Sequence, residues 1–260
     1  MKLDCALVAC NANTHYLDFW PIVKKAWWDI VGIPCIMVFV GDALPEHLKD
    51  DPAVRHFKPI DGWPTATQAQ IIRLFYPALL KCEGAVILSD MDIVPLQKDW
   101  FVEGFAKAEI DQFVSLRGID EGNQQVYMCY VGATPTVFSA FFSVKTEDDI
   151  RSCFTDLSKQ LFADGHHGGQ GWCLDQQLLY ARLKHILSIC PDALSGYPWT
   201  ASISRLDRSR PQEWLEVNEE ICKKISENTY IDFHMPPYNR FQTQILQIVD
   251  AASMPHQTES

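Results

Sequence analysis

Residues 85–96 read AVILSDMDIVPL. Ala85, Val86, Ile87 and Leu88 form a short continuous apolar run, the pattern of a strand buried on both faces. Ser89 ends the run and two carboxylates follow, Asp90 and Asp92, before Ile93 and Val94 resume apolar character and Pro95 interrupts it. Two carboxylates one residue apart, on the loop leaving a buried strand, can both reach one hard divalent cation. Such a cation can also accept phosphate oxygens from a substrate. On a surface turn the same Asp-x-Asp is an ordinary solvated loop. Its position brings the site reading level with the solvated loop without closing either, because a buried strand delivers the pair to the sheet edge where open α/β folds bind ligands.

The 260-residue chain is long enough to bury a large core as one domain. Its 47% hydrophobic and 21% charged content is that of a soluble globular protein. A net charge of −11 argues against a broad nucleic-acid-binding face, so no nucleic-acid partner is expected. It leaves room for a nucleotide held through a cation, which inverts the local field. The nine cysteines form no CxxC pair and several sit in apolar runs; Cys5, Cys35 and Cys129 read as small core residues, and a reduced, cytoplasmic setting is expected. No signal peptide is read at the start, and the apolar run 33–40 is too short to span a bilayer, so no transmembrane anchor is expected.

Upstream of the acidic pair, residues 3–10 read as a first strand ending in an Asn11-Ala12-Asn13-Thr14 loop. Leu17, Trp20, Val23, Trp27 and Ile30 then recur at helical spacing, with Gly32 as the stop. Residues 36–40 are a second buried strand closed by Gly41-Asp42. Strand, helix, strand is a βαβ unit with parallel strands. A short strand is expected at 56–60. Thr65 is expected to cap a helix running to about residue 80, with Ile71, Leu74, Phe75, Ala78 and Leu79 inward and Arg73 off the packed face.

Downstream, helices are expected at 100–110, 135–142, 148–162, 173–186, 214–225 and 239–249, with strands at 112–116, 125–131 and 230–234. Segment 191–210 is turn-rich, anchored by Ile203 and Leu206, and residues 251–260 read as a disordered tail. The loop DGHHGGQGW, 164–172, has four glycines and is expected to lack intrinsic rigidity. Asp175 falls in the first turn of the next helix, where a carboxylate suits the N-terminal dipole. Trp27, Trp28 and Trp63 are core residues or, if exposed, an interface.

Taken together, the first strand with its Asn11 loop, the Gly41-Asp42 strand end, Arg73, Ser89-Asp90-Met91-Asp92, and Trp172 before Asp175-Gln176 resemble a nucleotide-sugar-dependent glycosyltransferase of the GT-A fold, as found among viral, algal and bacterial enzymes. The resemblance implies a single α/β domain over 1–250: a central, mostly parallel twisted sheet flanked by helices, with a Rossmann-like nucleotide-binding half at 1–118 and an acceptor-side half at 119–250. It implies a DxD motif in which Asp90 and Asp92 hold Mn²⁺ or Mg²⁺ against the donor diphosphate, with Met91 between them at the donor. It also implies His234 as a third metal ligand, for which an imidazole beside carboxylates is chemically suitable. Ala9, Cys10 and Asn11 would line the base, Asp42 would accept from a uracil N–H, and Arg73 would brace the acidic loop. Trp172 would stack on a sugar. Asp175 would be the catalytic base of an inverting enzyme, or would orient sugar hydroxyls in a retaining one. His166 and His167, being adjacent, point different ways; either could contact phosphate or close over the donor. The implied substrates are a nucleoside-diphosphate sugar, UDP-sugars favoured with guanosine and deoxythymidine donors left open, and a saccharide or glycan acceptor.

Two other classes use similar residues. A metal-dependent nucleotidyltransferase favours a Gly-rich basic loop after the first strand, but residues 11–18 contain neither Gly nor Lys. A phosphohydrolase of the haloacid-dehalogenase kind carries its DxD straight after the first strand rather than near residue 90. A noncatalytic sugar- or protein-binding domain of the same fold is the third possibility.

Overall fold

A computed structural model describes residues 1–196 and 204–254, so the expected anchor Ile203 and residues 255–260 of the expected tail lie outside the described residues. The chain opens with β1 (Leu3–Asn11), the short α1 (Thr14–Leu17) and α2 (Trp20–Ala26), which continues as a π-turn over Trp27–Val31. Gly32, in the left-handed region at φ 83°, ends that helix as expected. Next come β2 (Cys35–Val40), β3 (Val54–Phe57), α3 (Thr65–Phe75), β4 (Ala85–Leu88), β5 (Ile93–Pro95), α4 (Asp99–Ala106) and β6 (Phe113–Ser115). A small hairpin, β7 (Ile119–Asp120) and β8 (Gln125–Val126), precedes β9 (Val131–Ala133), α5 (Pro135–Phe142), α6 (Glu147–Gln160) and α7 (Leu174–Leu187). The chain closes with β10 (Leu194–Gly196), β11 (Ser204–Asp207), α8 (Glu219–Ser226), β12 (Tyr230–His234) and α9 (Tyr238–Ser253).

The main sheet runs β10-β6-β9-β4-β1-β2-β3. Its centre, β4-β1-β2-β3, is parallel, and β9 enters antiparallel to both β4 and β6. Side-chain alternation along β1 builds a core on each face: Ala6, Val8 and Cys10 pack with the α2, α4, α8 and α9 residues, while Cys5 and Leu7 pack with those of α3, α5, α6 and α7. This is the expected GT-A-like α/β sandwich. From β1 the chain passes to β2 on one side, then returns to β4 on the other, so the strand order switches between β1 and β4. A ligand crevice belongs outside the carboxyl ends of these two strands, where Asn11 and Asp90 stand.

Several local expectations shift. The strand expected at 56–60 lies at Val54–Phe57, and α3 stops at Phe75 because Pro77 turns the chain into a 3₁₀ segment. Pro64 is the N-cap of α3; the Thr65 hydroxyl instead accepts from Asn11 Nδ2 at 3.1 Å. The run 125–131 is divided between β8 and β9, and α8 begins at Glu219, leaving Trp214 buried outside it. Residues 251–253, expected in the tail, close α9. Trp27 and Trp63 are buried and Trp28 is 62% exposed. Cys5, Cys35 and Cys129 are buried as free thiols. Among the described residues no helix is long and apolar enough to cross a membrane.

Candidate active site

A second, three-stranded sheet, β11-β12-β5, organises the cleft. β12 pairs antiparallel with β5, setting His234 opposite Ile93, and Met235 N–H donates to the Asp92 carbonyl at 2.8 Å. β11 pairs parallel with β12, setting Asp207 beside His234, and Arg208 N–H donates to the His234 carbonyl at 2.9 Å. Asp92, His234, Asp207 and Arg208, far apart in sequence, are therefore fixed by backbone ladders in one place. The His234 ring spans two carboxylates: Nδ1 is 3.1 Å from Asp207 Oδ2, and Nε2 is 3.4 Å from Asp92 Oδ2. Burial alone would lower the His234 pKa, but the hydrogen bond and charge of Asp92 outweigh it and hold the imidazole above its ordinary 6.5. Asp207 also accepts from the Ser209 N–H and hydroxyl at 2.8 and 2.6 Å, and these bonds with His234 overcome desolvation to keep its pKa well below the usual carboxylate range.

Arg73 centres the other half of the site. Ala66, Ala69, Gln70 and Arg73 form a helical stripe on α3 that faces the cleft rather than solvent. Arg73 is 6% exposed, so the expectation that it avoids packing fails: the Ser89–Asp90 loop and the start of α7 cover it. Its Nη1 donates to the Ser89 carbonyl at 3.0 Å and to Asp90, its Nη2 to Asp175 at 2.8 Å, and its Nε to the Gln70 carbonyl at 3.2 Å. Burial would raise the Asp90 pKa, but Arg73, with the Cys129 thiol as a further donor, pulls it below the ordinary value. Asp175 is 2% exposed, and here desolvation prevails over Arg73, pushing its pKa up to about 6. Its second oxygen accepts from Gln176 N–H at 2.9 Å.

Behind Cys129 lies a buried support. Arg205 grips Asp232 through Nε at 2.7 Å and Nη2 at 2.5 Å, and the Tyr130 hydroxyl donates to Asp232 at 2.8 Å. Arg117 Nη1 approaches the Cys129 sulfur at 3.1 Å.

The 164–172 loop is tied rather than loose. Asp164 accepts from His166 N–H and Gln170 N–H, both at 2.9 Å, and Gly165, Gly168 and Gly171 take positive φ, which lets so short a loop fold back on itself. The two histidines diverge as expected. His167 lines the cleft, with Nδ1 2.9 Å from the Tyr16 hydroxyl and its ring centroid 4.4 Å from that of Trp172. His166 is exposed outside the cleft lining.

One cleft thus gathers Ala9, Cys10, Asn11, Arg73, Asp90, Met91, Asp92, Trp172, Asp175 and His234. Asp42 is exposed and not part of that lining, because the chain turns away after β2. The cleft adds residues that sequence patterns left without a role: Asn13, Tyr16, Gln70, Gln176 and Arg208. Asp207 and Arg208 belong to the turn-rich stretch whose lack of periodicity hid β11.

The donor set suits a divalent cation in one respect. Asp207 on Nδ1 orients His234 so that Nε2 faces Asp92, the carboxylate–histidine arrangement that supports metal ligation. Asp90, by contrast, is turned to Arg73, and among the described residues no group of three or more His, Cys, Asp or Glu side chains stands arranged to hold a metal ion.

No protein-family model matches the chain, and no curated protein does. Solved structures share its fold. The glycosyltransferase GlyE of Streptococcus pneumoniae TIGR4 superposes with a TM-score of 0.51 at 12% identity over 98% of this chain and 62% of that one. Its apo form gives 0.50 at 11% identity over 97% and 61%. The galactosyltransferase LgtC, solved with donor and acceptor sugar analogs, superposes at 0.47 with 11% identity over 97% of this chain and 98% of that one. This chain spans about three fifths of the length of the GlyE chains. At these identities the likeness is one of fold: the chain has the GT-A-like α/β architecture found in glycosyltransferases.

Proposed function

We propose that this protein is a metal-dependent glycosyltransferase that moves a hexosyl or deoxyhexosyl group from a nucleoside-diphosphate sugar, with UDP-sugars favoured, to a hydroxyl of a saccharide or glycan. The observation carrying this reading is the Asp92–His234–Asp207 chain at the β1/β4 switch point, opposite the Asn11 loop and Trp172. Asp92 and His234 would hold Mn²⁺ or Mg²⁺, with Asp90 as the further carboxylate of the DxD motif. Such a cation supplies charge stabilisation for the departing diphosphate.

The chain's own groups do the rest. Asn11 and Asn13 offer amides to the nucleoside from the end of β1. Arg73 fixes Asp90 in its ionised form at the donor ribose or sugar, with Met91 closing the floor. Trp172 presents a ring face to a sugar. On this reading residues 1–118 carry most donor contacts and 119–250 face the acceptor, with Asp207, Arg208 and His234 crossing to the donor side.

Asp175 fits the orienting role better than the role of base. Both its oxygens already accept hydrogen bonds, which pin the carboxylate at the cleft wall; with lone pairs left it can orient a hydroxyl lying against that wall but cannot swing out to an acceptor. It would hold a donor-sugar hydroxyl, with Gln176 beside it.

A panel of sugar nucleotides with Mn²⁺, scored for nucleoside-diphosphate release in the presence of saccharide acceptors, tests the reading. One donor turned over, and lost with chelator and in Asp92→Ala, supports it; proton NMR of the product's anomeric centre then separates retention, expected here, from inversion. No turnover together with no metal-dependent donor binding refutes it and leaves a noncatalytic binding domain.

A further inference from the structure

We infer that Arg208 is the cation that meets the donor's diphosphate, and that Asp92 holds it until it is exchanged for a metal ion; the inference rests on the nucleotide-sugar reading above. Arg73 and Arg208 are the permanent cations among the described residues lining the cleft. Arg73 is committed, with Nε, Nη1 and Nη2 all donating inside the protein and the side chain 7% exposed. Arg208 differs. Its side chain is 35% exposed, and its guanidinium, which carries five N–H donors, makes one side-chain bond among the described residues, Nη1 to Asp92 Oδ2 at 2.8 Å.

The oxygen involved is what gives this contact its meaning. Asp92 Oδ2 is the atom Arg208 grips and also the atom 3.4 Å from His234 Nε2. A cation seated between Asp92 and His234 therefore competes with Arg208 for that oxygen, and the repulsion between two positive charges on one carboxylate weakens the guanidinium's hold there. The Arg208 backbone stays where it is, held by its N–H bond to the His234 carbonyl and by following Asp207 directly. Freed from Asp92, the guanidinium is thus tethered at the mouth of the cleft beside the cation position. A diphosphate entering past Asp90, Asp92 and Asp175 meets three carboxylates, and a planar fork of N–H donors is the group that matches its oxygens in pairs. The same contact strengthens as negative charge gathers on the leaving diphosphate, so Arg208 would act in turnover as well as in binding.

Binding of uridine, guanosine, adenosine and deoxythymidine diphosphates, each with Mn²⁺, is measured by calorimetry for the wild type, Arg208→Gln and Arg208→Lys. Mn²⁺ alone is titrated against all three by electron paramagnetic resonance. The expected result is that Arg208→Gln weakens the nucleoside diphosphate the wild type prefers by about ten- to a hundredfold, the worth of a charge-assisted hydrogen bond. Arg208→Lys restores part of that loss, and Mn²⁺ alone binds Arg208→Gln at least as tightly as the wild type. Wild-type nucleotide affinity in Arg208→Gln overturns the inference while leaving the donor reading in place. So does a loss of Mn²⁺ affinity matching the nucleotide loss, which would make Arg208 only a prop for Asp92. A wild type that binds none of the four diphosphates, with or without Mn²⁺, removes the donor reading and this inference with it.

Discussion

Replacing Asp175 with Asn should stabilise the protein at neutral pH and destabilise it in acid. Asp175 is 2% exposed, and desolvation, only partly offset by Arg73, lifts its pKa from 3.8 to about 6. Because the native value lies above the unfolded one, the native state binds more protons between these pH values, and stability falls as pH rises through that window. The ionised carboxylate therefore costs the native state about 3 kcal/mol at pH 7 and less than about 1 kcal/mol at pH 4. Asn removes that cost but introduces one of its own. Asp175 accepts from Arg73 Nη2 with one oxygen and from Gln176 N–H with the other, and a carboxamide has a single acceptor oxygen. Leaving one donor unmatched costs about 1–2 kcal/mol. The net expectation is a gain of about 1–2 kcal/mol at pH 7 that turns into a loss near pH 4. Urea unfolding of the two proteins from pH 4 to 8 reads this directly. A variant less stable than the wild type at pH 7, or a difference that does not change with pH, would show that the Asp175 carboxylate is not strained by its burial.

Arg73→Met leaves the Asp90 and Asp175 carboxylates without their buried partner and should cost about 3–5 kcal/mol in urea unfolding; adding Asp175→Asn should recover a substantial part of it. Asp207→Asn removes the group that orients His234 and should lower Mn²⁺ affinity about ten- to a hundredfold, measured by electron paramagnetic resonance. The His234 pKa is raised, so the stability it contributes is complete below its unfolded value near 6.5 and is lost as pH rises through the folded value. Cation binding needs the Nε2 lone pair and runs the other way: Mn²⁺ affinity of the wild type should weaken as pH falls through that range, and pH-independent affinity would exclude His234 as a ligand.

The parts of this molecule written in local periodicity were legible. The apolar run 85–88, the first-strand stretch 3–10 and the helical spacing from Leu17 to Ile30 each lead to the observed elements, and the βαβ start with an acidic pair after a buried strand leads to the crevice those carboxylates line. His234 entered through the family resemblance, and the structure places it at the end of a short apolar strand on the cleft wall. What stayed hidden was set by tertiary contact. Arg73 sits on the polar side of an amphipathic helix, and nothing local says that this side is roofed by the Ser89–Asp90 loop and α7. Asp207 and Arg208 lie in β11, a strand of four residues with no apolar alternation, and acquire meaning only when β11 pairs with β12 beside Asp92. The 164–172 loop misleads in the opposite sense: its glycines suggest freedom, while the Asp164 carboxylate closes the loop through two backbone N–H groups. Asp42 stands outside the cleft lining for a related reason. The end of a strand fixes where a residue starts, and the turn that follows decides where its side chain goes.

On the proposed reading, Asp92 and His234, oriented by Asp207, would form the cation position against which a donor diphosphate binds. Anomalous diffraction at the manganese edge, from crystals grown with Mn²⁺ and the preferred nucleoside diphosphate, tests it most directly. One peak is expected within coordination distance of Asp92 and His234 Nε2, with the diphosphate on its open side and the Arg208 guanidinium moved from Asp92 to the phosphates. A nucleotide seated elsewhere, or in this cleft with no metal peak and Arg208 still on Asp92, would contradict it.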